Sequence, residues 1–362
     1  MVALACGLKK RGHVVEIFMY FSQYDFFRRR VEDCGIPIHE CKKGGRFSFR
    51  VLKELSKLMR FGGFDIAISY LNGPNIYSEL SKLMARRPQL IVSERSSHHA
   101  DRSVIGSQFR RAMHVFADHL VTNSQAHSRW LMKKPWLGHR ITCIYNGIDL
   151  DLFKPVPLVP SKRDNLRFLV IGRVGPEKNA IRLIAALHVL HEDYGYIPEI
   201  SWVGRRDNSA EGLRYCQQVD ALLESLPDIQ NRWHWLGERS DIPELLAQHH
   251  ALIHPSLHEG LPNVVCEALA AGRPVLVSDV CDHPRLIEDG ERGFLFDPED
   301  PKNIAAAIES LASITEARWH ETARNARKYA EENLSLEKYV QMYEALFTKL
   351  IERGREPATE ME

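Results

Sequence analysis

The sequence predicts an α/β protein built from two doubly wound domains, and three observations carry that reading. Short apolar runs of strand length alternate along the whole chain with amphipathic stretches of helical period, as successive βα units do. A length of 362 residues exceeds what one ordinary core accommodates. A proline-rich segment at 155–161 (PVPLVPS) has linker composition and divides the runs into two sets. The remaining composition, 44% hydrophobic and 26% charged, is that of a globular protein. No apolar run approaches the ~18–20 residues that span a bilayer.

The first set of expected strands covers 14–20, 65–71, 89–93, 119–122 and 141–145; the second covers 167–171, 199–203, 232–236, 251–254, 275–278 and 293–296. Helical stretches fill the intervals, as at 177–190, where Ile181, Ile184, Leu187 and Leu190 share a face. The opening stretch 2–11 reads as helix. Its Lys9, Lys10 and Arg11 follow the apolar residues, the reverse of a secretory signal. Domains are expected at 1–155 and 156–333, with 334–362 forming a C-terminal helix that packs back on the first domain and a frayed tail. Ligands in such sheets bind at the carboxyl ends of strands.

Seven cysteines, odd in number and never in a C-x-x-C pair, predict neither a disulfide framework nor a zinc site and suit a reducing cytosol. The near-zero net charge conceals a split. Residues 1–150 hold 24 Lys/Arg against 12 Asp/Glu, a balance of +12, and the rest carries −11. Two readings of the basic half stand: solvated helix faces that offset the acidic half, or attraction to an anionic membrane surface or a phosphate-bearing acceptor. Arg28, Arg29 and Arg30, with Arg110 and Arg111, are the candidate residues for the second. No motif or aromatic platform accompanies the charge, so nucleic acid is not an expected partner.

The stretch 258–275 (HEGLPNVVCEALAAGRPV) carries the chemistry. It reads as a loop holding Glu259, a helix holding Glu267, and a Gly-Arg-Pro turn into the strand at 275–278. Pro262 suits the first helical turn. A helix N-terminus offers free N–H groups and a positive dipole to an anion. Two carboxylates beside an anion site fit a ligand that joins phosphate to hydroxyl-rich rings, such as a nucleotide sugar.

This stretch resembles the E-x7-E signature of the retaining glycosyltransferases of family 4. Three further segments resemble that family in order: 121–124 (VTNS); 145–149 (YNGID) followed by Phe153 and Pro155; and 170–179 (VIGRVGPEKN). The similarity runs from about residue 3 to about residue 345. It implies the GT-B fold, two Rossmann-like domains facing a cleft. Family members begin with a strand and glycine-rich loop ahead of a helix like 2–11, whereas this chain begins inside that helix. The expectation is a misassigned start.

The resemblance also implies roles. Gly172 permits close backbone approach after its strand, and Arg173 and Lys178 hold the diphosphate, bidentately and as a point charge. Glu259 binds sugar hydroxyls near the reacting carbon, Glu267 the ribose hydroxyls, and backbone N–H groups of Gly260, Leu261 and Asn263 complete the phosphate cradle. Gly237 and Glu238 touch the base, and Asn146 belongs to the hinge-side motif. A subset of the family has S-E-R after the strand at 89–93, so Glu94 and Arg95 do the local catalytic work there, with His98 or His99 contacting the sugar. No D-x-D pattern lies in a cleft-like context, so neither metal nor cofactor is expected. The implied enzyme is a metal-independent, retaining hexosyl- or N-acetylhexosaminyltransferase. It takes a UDP-sugar in preference to a GDP-sugar and a lipid-linked or saccharide acceptor, in cell-surface polysaccharide or lipopolysaccharide synthesis. Its expected place is the cytoplasm, peripherally on the inner membrane face. Two alternatives stand beside it: a non-catalytic nucleotide-sugar-binding subunit and a GT-B-fold nucleotide-sugar epimerase.

Overall fold

The computed structural model describes residues 1–21, 27–45, 47–85, 87–95, 104–137, 140–159 and 162–355. The chain forms two compact units, one comprising Met1–Gly147 with Leu336–Glu362 and the other Ile148–Ser335, so the segment 155–161 lies inside the second.

The first unit runs α1 (Val2–Lys10), β1 (Ile17–Met19), α2 (Arg28–Asp33), β2 (Ile38–Glu40), α3 (Phe49–Phe61), β3 (Ile66–Tyr70), α4 (Asn72–Met84), β4 (Gln89–Glu94), α5 (Val104–Met113), β5 (His119–Thr122), α6 (Gln125–Met132) and β6 (Ile141–Cys143). Strands β3-β4-β5-β6 make one parallel sheet, and β1 and β2 pair separately, also in parallel. Successive residues of β4 show why its centre, Leu90 to Val92, is apolar without alternation. Ile91 joins Val121, Leu4 and Leu8 in one core, while Leu90 and Val92 join Leu120, Leu131 and Leu137 in another. A strand buried on both faces cannot alternate polar and apolar residues.

Two features of this unit differ from expectation. Strand β2 was not foreseen, because three residues containing His39 and Glu40 carry no apolar period. Cys6 and Cys34 form a disulfide with Cα atoms 5.8 Å apart, which corrects the reading of the cysteines as unpaired. The pairing arises because α1 and α2 pack together through Val2, Ala5, Val31 and Ile36, a tertiary fact that a separation of 28 residues does not encode. Cysteine usage therefore no longer argues for a reducing compartment.

The second unit continues with β7 (Arg167–Ile171), α7 (Ala180–Tyr194), β8 (Glu199–Val203), α8 (Ala210–Glu224), α9 (Pro227–Gln230), β9 (Trp233–Gly237), α10 (Ile242–Gln248), β10 (Ala251–His254), α11 (Asn263–Ala270), β11 (Val275–Ser278), α12 (His283–Ile287), β12 (Gly293–Phe296), α13 (Pro301–Ala312) and α14 (Glu316–Asn333). The final helix, α15 (Leu336–Arg355), belongs to the first unit, where Tyr339, Val340 and Tyr343 pack with Leu4 and Leu8 of α1. All six strands of the second unit are parallel, in the order β12-β11-β10-β7-β8-β9. The winding reverses between β7 and β10, and the crevice at such a reversal is where open parallel sheets bind ligands.

Two local departures shape that crevice. The expected helix at 177–190 begins only at Ala180. Pro176–Lys178 form a tight 3₁₀ turn, and Asn179 follows at φ 62°, held there by its amide donating to the carbonyls of Pro255 and Pro298 at 3.1 and 2.7 Å. Pro262 is the N-cap of α11 rather than its first helical residue. Its carbonyl accepts from the N–H groups of Val265 and Cys266, which fixes the helix start one residue later than expected.

Trp202 ties the core to the crevice. Its ring is fully buried against Trp233 and Trp235, and its indole N–H donates to the carbonyl of Gly172 at 2.8 Å. Trp202→Phe removes that bond and leaves a void, and it should lower the unfolding free energy by about 2–4 kcal/mol. Urea unfolding followed by circular dichroism measures this, and an unchanged midpoint would contradict the assigned anchor.

Candidate active site

The residues after β7 and after β10 meet because those two strands are neighbours. Gly172 follows β7 directly, and its N–H donates to the Val203 carbonyl at 2.8 Å. A Cβ at Gly172 would approach the Lys178 side chain to 3.1 Å, so glycine here leaves the lysine its path. Gly204, at φ +144°, takes a conformation that side chains avoid, and a Cβ there would collide with the Gly172 carbonyl. Lys178 extends to Glu259, with which it forms a salt bridge. The N–H of Leu257 donates to the Glu177 carbonyl at 2.9 Å, tying the two segments together by backbone as well.

Beneath this pair lies a set of polar side chains that sequence reasoning missed. His254, 1% exposed at the end of β10, donates from Nε2 to Glu259 Oε1 at 2.9 Å, and Ser256 Oγ lies 3.1 Å from the same nitrogen. His283 stands edge-on to His254 with ring centres 5.6 Å apart, and its Nδ1–H donates to the Ser278 carbonyl at 2.7 Å. Burial pushes His254 below the ordinary imidazole value, against the pull of Glu259. Burial, reinforced by His254, takes His283 down to about 3, so both rings are neutral at physiological pH. Burial also works against the charge on Glu259, but His254 and Lys178 outweigh it and hold the carboxyl well below its usual range. A permanently ionised Glu259 thus shares a pocket wall with a cation.

Helix α11 supplies the next layer. Within the chain the backbone N–H groups of Gly260 and Leu261 donate no hydrogen bond among the described residues, and the Glu259 N–H reaches only Cys281 Sγ, at 3.5 Å. Leu261 is buried and Asn263 is exposed at the first helical position. Glu267 lies one turn further in. It makes no side-chain hydrogen bond or ion pair among the described residues, and burial raises its carboxyl to about 7. Desolvation alone accounts for that shift, which marks a partly buried acid with hydrogen-bonding capacity unused among the described residues.

The other expected residues are distributed differently. Arg173, 40% exposed along its side chain, pairs with Glu177 at 2.6 Å and Asp207 at 3.4 Å, whereas Lys178 pairs with Glu259. Gly237 and Glu238 are exposed at the end of β9, and the Gly237 carbonyl accepts from Gly204 at 2.8 Å. His98 and His99 lie outside the described residues.

In the first unit, Glu94 and Arg95 both sit at the end of β4, and each is already engaged. Glu94 accepts from His114 Nε2 at 2.9 Å and His127 Nε2 at 2.8 Å, while His114 Nδ1 reaches Glu79 at 2.6 Å. All four are at most 6% exposed. Burial opposes ionisation of Glu94, yet the two imidazoles hold its carboxyl far down; the two carboxylates raise His114 to about 9 against its own burial. Glu79 is raised, chiefly by burial. Arg95 donates to Ser93 Oγ at 2.6 Å, to the Asn146 side-chain oxygen and to the Tyr343 hydroxyl at 3.0 Å, with its guanidinium 5.2 Å from the Tyr70 ring centre. No sequence signal pointed to Glu79, His114 or His127, since each falls on a different helical segment without motif spacing.

Two pH-dependent outcomes follow from these shifts. His114 bears a raised value, so its stabilising charge is fully present below about 6.5 and is lost as pH climbs through about 9. Glu94, shifted downward, contributes above about 4.5. His114→Gln should therefore cost on the order of 3 kcal/mol near pH 6 and less at pH 9, as measured by urea unfolding at both values. Glu267 has the opposite sign for an acid: its charge destabilises the fold as pH rises from about 4.5 through about 7. Thermal unfolding should show Glu267→Gln raising Tm by a few degrees at pH 8 while leaving it unchanged at pH 5.

The chain is similar to known proteins. The family model described as Glycosyltransferase Family 4 matches residues 1–152, and that described as Glycosyl transferases group 1 matches residues 165–313. The Escherichia coli UDP-Gal:alpha-D-GlcNAc-diphosphoundecaprenol alpha-1,3-galactosyltransferase is 27% identical over 222 residues, covering 59% of this chain and 55% of that protein. The phosphatidyl-myo-inositol mannosyltransferase of Mycolicibacterium smegmatis is 26% identical over 341 residues, covering 91% and 84%. Among solved structures, a glycosyltransferase from Rickettsia africae superposes with a TM-score of 0.81 at 17% identity, covering 97% of this chain and 93% of that one. Anabaena HepE, solved with UDP and glucose, gives 0.79 at 21% identity over 96% and 94%. With its two parallel-sheet units and both family models matched in order, the chain belongs to the group 1, family 4 glycosyltransferases of GT-B fold.

Proposed function

We propose that the chain moves a hexosyl or N-acetylhexosaminyl group from a UDP-sugar to a lipid-linked or saccharide acceptor with retention, in the synthesis of a cell-surface polysaccharide or lipopolysaccharide. The observation that carries the donor half is the ionised Glu259, held by Lys178 and His254 beside unused N–H groups and the unpartnered Glu267. A nucleoside diphosphate sugar uses each of these. Its diphosphate takes Lys178, the N–H groups of Gly260 and Leu261 and the dipole of α11; its ribose hydroxyls take Glu267; its sugar hydroxyls take Glu259. Arg173 exchanges its carboxylate partners for the diphosphate, and Gly237 and Glu238 border the base. UDP is favoured because a relative is named for UDP-Gal and a structural neighbour was solved with UDP.

Chemistry proceeds by charge neutralisation. As the bond between the anomeric carbon and the diphosphate breaks, negative charge grows on the leaving oxygen, and fixed cations and N–H groups aimed there lower the barrier. Glu259, already paired with a lysine, orients the sugar rather than attacking it. Retention then requires the acceptor to enter on the face the diphosphate leaves, with a phosphate oxygen taking its proton. In the first unit, Arg95 and Asn146 serve the acceptor side, and Glu94 acts by fixing His114 and His127. The lipid acceptors named for the relatives, diphosphoundecaprenol and phosphatidylinositol, favour a lipid acceptor here. No helix among the described residues is long and apolar enough to cross a membrane, and the reading places the protein peripherally on an anionic cytoplasmic leaflet.

Transfer from radiolabelled UDP-sugars to a polyprenyl-diphosphate saccharide tests this. Glu259→Ala and Lys178→Ala should each slow turnover by roughly 10²-fold or more, about 2.7 kcal/mol in the barrier, with unfolding midpoints preserved, and EDTA should leave the rate unchanged. Near-normal rates in both variants would overturn the site. Donor epimerised without acceptor, or donor bound with no turnover, would replace transfer by epimerisation or by a binding role.

A further inference from the structure

One helix of the first unit presents an outer face that is both basic and aromatic. Helix α3 buries Val51, Leu52, Leu55 and Met59 inward, where Val51 and the partly buried Leu52 and Leu55 pack with Cys41, Tyr77, Phe18 and Tyr20. Its outer positions are Phe49, Arg50, Lys53, Glu54, Lys57, Arg60 and Phe61, all exposed. At 100° per residue, the two phenylalanines and four cations fall within an arc of about 120° on a helix about 20 Å long. The cations form no ion pair among the described residues. Phe49 and Phe61, at the two ends, are 78% and 72% exposed, and Phe47, 45% exposed, lies against Phe49 with ring centres 5.3 Å apart.

Of the basic residues expected to serve this purpose from sequence, Arg29 and Arg30 are exposed on the six-residue helix α2, whereas two others are engaged. Arg28 is paired with Glu32 and Glu40, and Arg111 is 8% exposed beneath the Trp130 ring.

We propose that the outer face of α3 is the surface by which this protein lies on an anionic lipid bilayer, with Phe49 and Phe61 entering the headgroup region and Arg50, Lys53, Lys57 and Arg60 facing lipid phosphates. The chemistry selects this occupant. Cations without carboxylate partners among the described residues, spaced along one face, suit a continuous anionic surface, and aromatic rings at both ends of that face, Phe61 under Arg60 at 5.3 Å, gain where an apolar layer lies below the charge. A folded acidic protein would leave two solvated phenylalanines unexplained. Each cation close to such a surface strengthens association roughly fivefold, and the effect fades beyond a Debye length of about 8 Å at physiological salt. This inference rests on the peripheral-membrane reading above and names the surface that performs it.

Flotation of the full chain with vesicles of phosphatidylcholine, with and without phosphatidylglycerol, tests it at low and high salt. The wild type should float with the anionic vesicles and be released by salt. The triple reversal Arg50→Glu, Lys53→Glu, Lys57→Glu and the double variant Phe49→Ser, Phe61→Ser should each weaken partitioning at least tenfold. A control triple of equal charge change, Lys10→Glu, Arg129→Glu, Lys133→Glu, should weaken it less than threefold. Unfolding midpoints and transfer to a water-soluble acceptor should match wild type in all three variants. Binding that keeps its lipid-charge dependence in the α3 variants, or that falls equally in the control, overturns the assignment to α3 and leaves the peripheral reading intact. Failure of the wild type to bind either vesicle overturns both.

Discussion

The reversal of strand order between β7 and β10 is the constraint on which the site depends. Two strands far apart in sequence become parallel neighbours, paired through Phe168–Ala251 and Leu169–Leu252, and their carboxyl ends open side by side. Gly172 and Lys178 follow one end; His254, Ser256 and Glu259 occupy and follow the other. Parallel pairing sends both exits in the same direction, so no loop rearrangement is required to bring lysine to carboxylate. Apolar packing holds that register, because a slip of one residue would turn Phe168 and Ile253 out of their core.

Electrostatics then separate two acids carried within eight residues of sequence. Glu259 meets a lysine and a neutral imidazole donor and stays ionised, whereas Glu267 meets no partner among the described residues and rises to about 7. Their roles diverge because their surroundings do, one as a charged acceptor locked in place and the other as an acid with free hydrogen-bonding capacity. The first unit solves a related problem by another route. A chain of four buried groups, Glu79, His114, Glu94 and His127, alternates acid and imidazole so that the charges on Glu94 and His114 are held against burial, while Glu79 at the end of the chain stays raised. That chain anchors the end of β4, immediately before Arg95.

The strands of the second unit were legible because parallel strands buried on both faces are short uniform apolar runs, and those at 167–171, 199–203, 251–254, 275–278 and 293–296 appear with the expected bounds. Strand β2 was not legible, since an edge of three residues with two polar members has no period. The helix start at 177 failed for a different reason. Helical periodicity continues through Asn179, but its amide is captured by two carbonyls from distant loops, and the backbone turns left-handed there.

By itself the sequence determined the α/β class, the buried strands of the second unit, the two carboxylates around α11 and the glycines beside them, because each is a local pattern of period, turn or spacing. Only the tertiary structure decided which groups those carboxylates meet. His254 read as one more residue of an apolar strand, Cys6 and Cys34 as unrelated thiols, and Arg111 as a surface cation. Each was reassigned by a neighbour brought in through packing: Glu259 above the end of β10, helix α2 against α1, and the Trp130 ring against Arg111; Arg173 gained Glu177 and Asp207 as carboxylate partners. Hydrogen bonds and ion pairs act over a few ångströms of space and are indifferent to separation along the chain.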